Sequence, residues 1–174
     1  RPNTTMAPFP MCPDCAAEYA DPLDRRFHAQ PVACPACGPQ VWLERSGESA
    51  PLNQGDAAIR QVRQWLLEGK IVAVKGLGGF HLACDATNPQ AVETLRQRKL
   101  RVGKPFALML PDLAAVTRHC RVSPAEAALL ESRQRPVVIL ERLPASPVAE
   151  AVAPEQHTLG VMLPYTPLHY LLFA

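Results

Sequence analysis

No stretch of this sequence approaches the roughly 18 to 20 consecutive apolar residues that a bilayer-spanning helix requires; the longest runs are about four to six residues. No basic start followed by an apolar centre and a small-residue cleavage site marks a secretory signal. Charge of one sign is also scarce, with 18 Lys and Arg against 16 Asp and Glu, a formal +2 in 174 residues. That balance argues against a nucleic-acid-binding surface, which carries a basic excess. A disordered polyelectrolyte is excluded as well, because 48% of the residues are hydrophobic. Residues 1–45 contain no lysine, and their four arginines (Arg1, Arg25, Arg26, Arg45) meet five acids (Asp14, Glu18, Asp21, Asp24, Glu44). Missing too are the P-loop order G-x4-G-K-[ST] and a G-x-G-x-x-G ahead of a helix. The chain does not begin with Met and stops inside the apolar stretch Leu168–Ala174, so it is expected to be a piece of something longer.

What is present is more informative. Proline is about twice its usual ~5%, at 19 residues, and it stands mostly where elements should start or stop. Of the six cysteines, four form two tight pairs, Cys12/Cys15 and Cys34/Cys37, giving C-x2-C-x18-C-x2-C. Two residues between cysteines let both sulfurs face one ion, and four thiolates suit tetrahedral zinc. Four such charges would repel one another without a cation, which couples metal binding to folding. With all four positions taken by sulfur the zinc is structural, and His28, between the pairs, is expected to pack or hydrogen-bond. Cys84 and Cys120 stand alone in apolar surroundings and read as core thiols. Paired thiols without a secretory signal favour a reducing compartment, and the cytoplasm is the expected location.

Composition divides the chain into a finger module over 1–45, a linker over 46–51 (Ser-Gly-Glu-Ser-Ala-Pro) and a larger domain over 52–174. The first is too short to bury a core without a metal or disulfides. In the second, helices and strands alternate. Asp56 is positioned to cap a helix with Ile59, Val62 and Leu66 on one face, ended by Gly69. Ile71–Val74 is expected as a strand leading into the loop Lys75-Gly76-Leu77-Gly78-Gly79. Asn88-Pro89 opens a helix carrying Val92, Leu95 and Arg96 to Lys99, and Ser123-Pro124-Ala125-Glu126 is a capping box. Phe106–Leu110, Pro136–Leu140 and Leu159–Leu163 are further strands, and Thr166-Pro167 starts a last helix. The alternation predicts an α/β domain with a twisted, partly parallel sheet.

Arg96, Arg98, Lys99, Arg101 and Lys104 crowd one helix end and the loop after it, with no acid between them. The helix dipole accounts for Arg96 and Arg98. Lys99, Arg101 and Lys104 continue beyond it, and an anion such as a polyphosphate would relieve their repulsion. The glycines of Lys75–Gly79 permit close backbone approach to a ligand, although a glycine turn at a strand end is usually only a turn.

Three segments, Met11-Cys12-Pro13-Asp14-Cys15, Asp21–Pro31 and Cys34-Pro35-Ala36-Cys37-Gly38-Pro39, resemble the zinc finger of the HypF family, carbamoyltransferases of NiFe-hydrogenase maturation. Lys75–Ala86 and Arg98–Pro105 are similar to the start of that family's YrdC-like domain. The resemblance implies a chemistry in which carbamate from carbamoyl phosphate reacts with ATP, supplied with Mg2+, to give carbamoyl adenylate. The carbamoyl group then passes to a C-terminal cysteine thiol of the partner HypE, toward the cyanide ligands of the metal centre. It further implies that Lys99-Leu100-Arg101 is the Lys-x-Arg half of the nucleotide signature. Lys104, and with them Lys75, Gly78 and Gly79, would line the same cleft. The Ser-x-Asn half does not follow Pro164 and is expected outside this stretch, as is a hydrolysing domain. Two other readings compete: a YrdC-like enzyme with another acceptor (threonylcarbamoyl-adenylate for tRNA, or O-carbamoylation), and a non-catalytic zinc-ribbon module binding RNA or protein. A four-cysteine finger directly before the domain separates the first reading from these. No membrane and no nucleic-acid partner are expected.

Overall fold

A computed structural model describes residues 3–48 and 50–174; Arg1, in the finger's charge count, and Ser49, in the expected linker, lie outside the described residues. Contacts divide the chain into two compact units, Arg1–Ala58 and Ile59–Ala174. No described helix is long and apolar enough to cross a membrane.

The first unit contains one short helix, α1 (Pro13–Ala20), which the sequence pattern did not suggest. Cys12 is its N-cap, Pro13 takes the first helical position, and Asp14 lies in the first turn, where a carboxylate complements the dipole. Its one buried residue is Cys15, so the helix is tied to the cysteine cluster rather than to an apolar stripe. Strands β1 (Trp42–Leu43) and β2 (Asn53–Gln54) pair antiparallel, with Leu43 opposite Asn53 and the side chain of Leu43 buried.

Helix α2 (Gly55–Leu67) begins before Asp56, which lies in its first turn and is not its cap; Ile59 and Val62 are buried as the apolar spacing requires, with Ala58 beside them, and Leu66 is only partly buried. Strand β3 (Val72–Lys75) returns immediately as β4 (Phe80–Ala83), an antiparallel hairpin where only one strand was expected. Helix α3 (Pro89–Arg98) is capped by Asn88, whose side chain accepts from Ala91 N–H at 3.1 Å. After β5 (Ala107–Met109), Asp112 caps the five-residue α4 (Leu113–Thr117), and the full capping box of Ser123 and Glu126 starts α5 (Pro124–Glu131). Strand β6 (Val138–Glu141), a 3-10 turn at Glu150–Val152, β7 (Thr158–Met162) and α6 (Pro167–Phe173), capped by Thr166, complete the chain.

The sheet order is β5-β7-β6, with β5 and β7 parallel and β6 and β7 antiparallel, a mixed sheet as the alternating pattern indicated. Alternation along the strands puts Leu108, Leu140, Leu159 and Val161 in the core, whereas Ile139, one residue out of phase, is 64% exposed. Val92 of α3, Val116 of α4 and Leu130 of α5 close over the buried face. Cys120 is buried in this core, and its burial pushes the thiol up to about 11; Cys84 packs at the edge and is pushed up for the same reason.

Candidate functional site

In the first unit the four paired cysteines converge. Their sulfurs all lie within 4.8 Å of one another. Cys12–Cys34 is 3.5 Å, Cys15–Cys37 3.7 Å and Cys34–Cys37 3.9 Å, all too long for disulfides. A tetrahedron of sulfurs at ~2.3 Å from zinc has edges of about 3.8 Å, so the donor set fits that ion. The second pair sits on a turn in which Gly38 N–H donates to Cys34 C=O at 2.7 Å and Ala36 N–H points at Cys34 Sγ at 3.4 Å. A side chain at Gly38 would bring its Cβ to 2.7 Å from that same carbonyl, so the turn requires glycine. Hydrogen bonding from the Cys12 and Cys34 backbone holds the Cys37 thiol down to about 6, and Cys34 is also lowered, first by the backbone of Cys37 and Ala36. Burial drives Cys15 the other way. Without a cation the folded cluster therefore resists holding four thiolates, which is what a metal supplies. His28 is not among the donors: its ring stacks on Phe27 at 4.0 Å and tilts against Tyr19 at 5.3 Å, the packing role expected of it.

In the second unit the basic loop is built around Arg96. This side chain is 6% exposed, and all five of its N–H bonds are used. Nε donates to Ala151 C=O (2.5 Å), Nη1 to the carbonyls of Arg101 and Val102 (both 2.8 Å), and Nη2 to those of Lys104 (3.2 Å) and Val152 (3.5 Å). Arg96 therefore holds the loop and is unavailable to an anion. The helix ends in a Schellman motif: Arg101 N–H bonds Arg96 C=O and Leu100 N–H bonds Gln97 C=O. Leu100 takes the left-handed position at φ 49° that glycine usually fills.

Lys99 and Lys104 stand exposed on this frame. Arg101 is only half-exposed. It donates from Nε to Lys104 C=O (3.0 Å) and from Nη2 to Pro105 C=O (2.6 Å), and its guanidinium lies 4.9 Å from the Phe106 ring centroid. Arg96 lies 4.8 Å from the same ring. Among the described residues, Arg98, Lys99, Arg101 and Lys104 have no ion-pair partner. A neighbouring groove of about 670 Å³ includes Glu93, Glu150 and Glu155 beside Arg96 and Arg101, but neither Lys99 nor Lys104. Three carboxylates make that groove unsuited to a polyphosphate.

Lys75, Gly78 and Gly79 belong to the β3–β4 hairpin. Gly76 N–H closes its turn on Gly79 C=O at 2.7 Å, and Lys75 Nζ lies 5.1 Å from the ring centroid of Phe80. No hydrogen bond, ion pair or ring contact among the described residues links this turn to the basic loop. Sequence reasoning missed Phe106 as the platform under both guanidiniums and Arg96 as the loop's anchor. The position of Arg96, next to Leu95 on an apolar helix face, was the available signal.

The comparisons with known proteins follow the same division. Residues 11–44 match the family model described as HypF finger, and residues 64–174 match the one described as Telomere recombination, the Sua5/YciO/YrdC model. A curated relative from Rhodobacter capsulatus, Carbamoyltransferase HypF, is 57% identical over 99% of this chain and 22% of its own length. The crystal structure of T. kodakarensis HypF is similar with a TM-score of 0.84 and 48% identity, over 99% of this chain and 22% of that one. A full-length HypF in a phosphate- and nucleotide-bound form gives 0.78 and 50%, with the same coverage. The chain thus spans about a fifth of the length of these relatives.

Proposed function

Because the chain belongs to the Sua5/YciO/YrdC family and carries a HypF finger ahead of that domain, we propose that it is the zinc-finger and nucleotide-binding part of a carbamoyltransferase. Residues 1–45 form the finger, 46–51 the connection and 52–174 part of the YrdC-like domain. The observation that carries the reading is the loop after α3, where Lys99, Arg101 and Lys104 have no ion-pair partner among the described residues and stand on a frame fixed by Arg96. The name of the relatives, and the nucleotide bound in one of them, support the reading.

In the proposed chemistry a carbamate oxygen, derived from carbamoyl phosphate, attacks the α-phosphorus of ATP. The bond to the bridging oxygen breaks, and pyrophosphate leaves with the electron pair. Negative charge builds on the phosphate oxygens in the transition state, and the ammonium groups of Lys99 and Lys104 neutralise it. Arg101, already planar against Phe106, offers its remaining N–H edge to a phosphate oxygen. Gly78 and Gly79 let backbone approach the nucleotide from the hairpin, and Lys75 adds a cation at that lip. Mg2+ accompanies ATP as part of the substrate. The thiolate of a partner cysteine, on HypE, then attacks the carbamoyl carbon and releases AMP. The four cysteines hold zinc for folding and take no part in the transfer. The setting is cytoplasmic.

The test is ATP–pyrophosphate exchange by the full-length protein. Exchange that requires carbamoyl phosphate is expected. Exchange that requires threonine and bicarbonate instead, or none at all from zinc-loaded folded protein, would overturn the reading.

A further inference from the structure

Two histidines outside the basic loop meet in the second unit. His169, on α6, is 4% exposed. Its Nδ1 accepts from the backbone N–H of Tyr165 at 3.5 Å, and the backbone N–H of His169 donates to Thr166 Oγ1 at 3.3 Å. An imidazole nitrogen that accepts carries no proton, so the neutral ring keeps its hydrogen on Nε2. No other hydrogen bond reaches this ring, yet no side-chain polar atom among the described residues is both buried and unpartnered. Nε2–H is therefore unpartnered among the described residues and not wholly buried, while Nδ1 is held. The Tyr165 ring stands edge-on to it, 4.5 Å away, as an aromatic wall.

His81 lies beside it, with ring centroids 6.3 Å apart and planes 21° from parallel. It is exposed on β4, opposite the buried Val74. Its ring also lies against Gly76, where an added Cβ would come within 2.9 Å of Cε1 and 3.1 Å of Nε2. Glycine at 76 thus leaves room for an imidazole at the base of the glycine turn. Residues alternate along a strand, so Lys75 and Phe80 fall on the opposite face of the hairpin from Gly76 and His81. The cationic side and the imidazole side of the hairpin are separate.

We infer that His81 and His169 form the recognition site for the small acyl substrate, a planar carbamate or carboxylate-like group, distinct from the loop that takes the phosphates. This rests on the function proposed above. Two adjacent imidazoles, 6.3 Å apart between ring centroids, offer directional hydrogen bonds to the oxygens of a small planar group. They lack the fixed charge that a polyphosphate calls for. Burial, and then the neighbouring His81, holds His169 below its usual titration range, so it stays a neutral donor at neutral pH.

The experiment uses the full-length protein with ATP and carbamoyl phosphate as probes, comparing wild type with His169→Phe and His81→Ala. Loss of one hydrogen bond to a charged oxygen should raise the KM for carbamoyl phosphate in the exchange assay roughly ten-fold. The KM for ATP should remain within about two-fold of wild type. Equal changes in both KM values, or no change in either, would overturn the inference and leave the proposed function standing. If wild type itself shows no carbamoyl-phosphate-dependent exchange, both fall. Should His169→Phe lower the melting temperature, the exposed His81→Ala decides alone.

Discussion

Replacing Arg96 by leucine tests the frame on which the basic loop is built. The substitution keeps an apolar helix face next to Leu95 but removes all five donors. Of the five carbonyls they serve, Val152 keeps the N–H of Phe106 and Lys104 keeps Nε of Arg101. The carbonyls of Ala151, Arg101 and Val102 lose the only hydrogen bond that they make within the described protein. Three partly buried acceptors at about 1 kcal/mol each, plus about 0.5–1 kcal/mol for the cation over Phe106, give a loss of about 3–4 kcal/mol. For a unit of this size that is a fall of about 12–16 °C in the melting temperature. Far-UV circular dichroism of the zinc-loaded chain reads it directly. Arg96→Lys restores a charge and three donors but not the planar fork, and should recover about half. A leucine variant melting within about 2 °C of wild type would refute the assignment of Arg96 as the loop's anchor.

Leu100→Gly should stabilise the protein by up to about 1 kcal/mol, because Leu100 is 89% exposed and holds φ at 49°; an ordinary exposed leucine-to-glycine change in a helix loses about that much. Chemical denaturation gives the sign, and destabilisation would contradict the Schellman cap. Chelating the metal should abolish the ordered structure of the finger while the helical signal of the second unit persists. Gly38→Ala should weaken zinc retention in a competition titration, since its Cβ would meet Cys34 C=O at 2.7 Å; unchanged spectra after chelation would reject a structural metal. The Ser123 backbone N–H, and then its hydroxyl, hold the Glu126 carboxyl below its usual 4.5. A carboxyl lowered in the folded state stabilises fully above 4.5 and loses that contribution as pH falls through its folded value. The stability gap between wild type and Glu126→Ala should accordingly be constant from pH 6 to 8 and close in acid. A gap that persists below pH 3 would show that the cap does not depend on the charge.

Legibility from sequence followed the length scale of each signal. The cysteine cluster was readable because metal geometry constrains spacing so tightly, and Asn88, Ser123 with Glu126, and Thr166 were readable because capping is local chemistry. The strands of the mixed sheet announced themselves as short apolar runs. Helix α1 did not, because the cysteine knuckle holds it without any apolar periodicity. Strand β4 was hidden by its neighbours: Phe80, Leu82 and Lys75 lie on the exposed face, so no buried alternation marks the hairpin. The roles of Arg96 and Arg101 depend on carbonyls that include Ala151 and Val152, some 55 residues away in the chain for Arg96, and no local pattern carries that information.

The central claim, that the loop after α3 receives the phosphates of a nucleotide, is tested most directly by equilibrium ATP binding to the full-length protein with Lys99→Met. Lys99 is exposed and makes no ion pair among the described residues, so its loss should leave the melting temperature unchanged. The dissociation constant should rise about ten-fold, and its salt dependence should flatten, as one charge-assisted contact is removed. ATP binding with wild-type affinity and salt dependence would place the phosphates elsewhere.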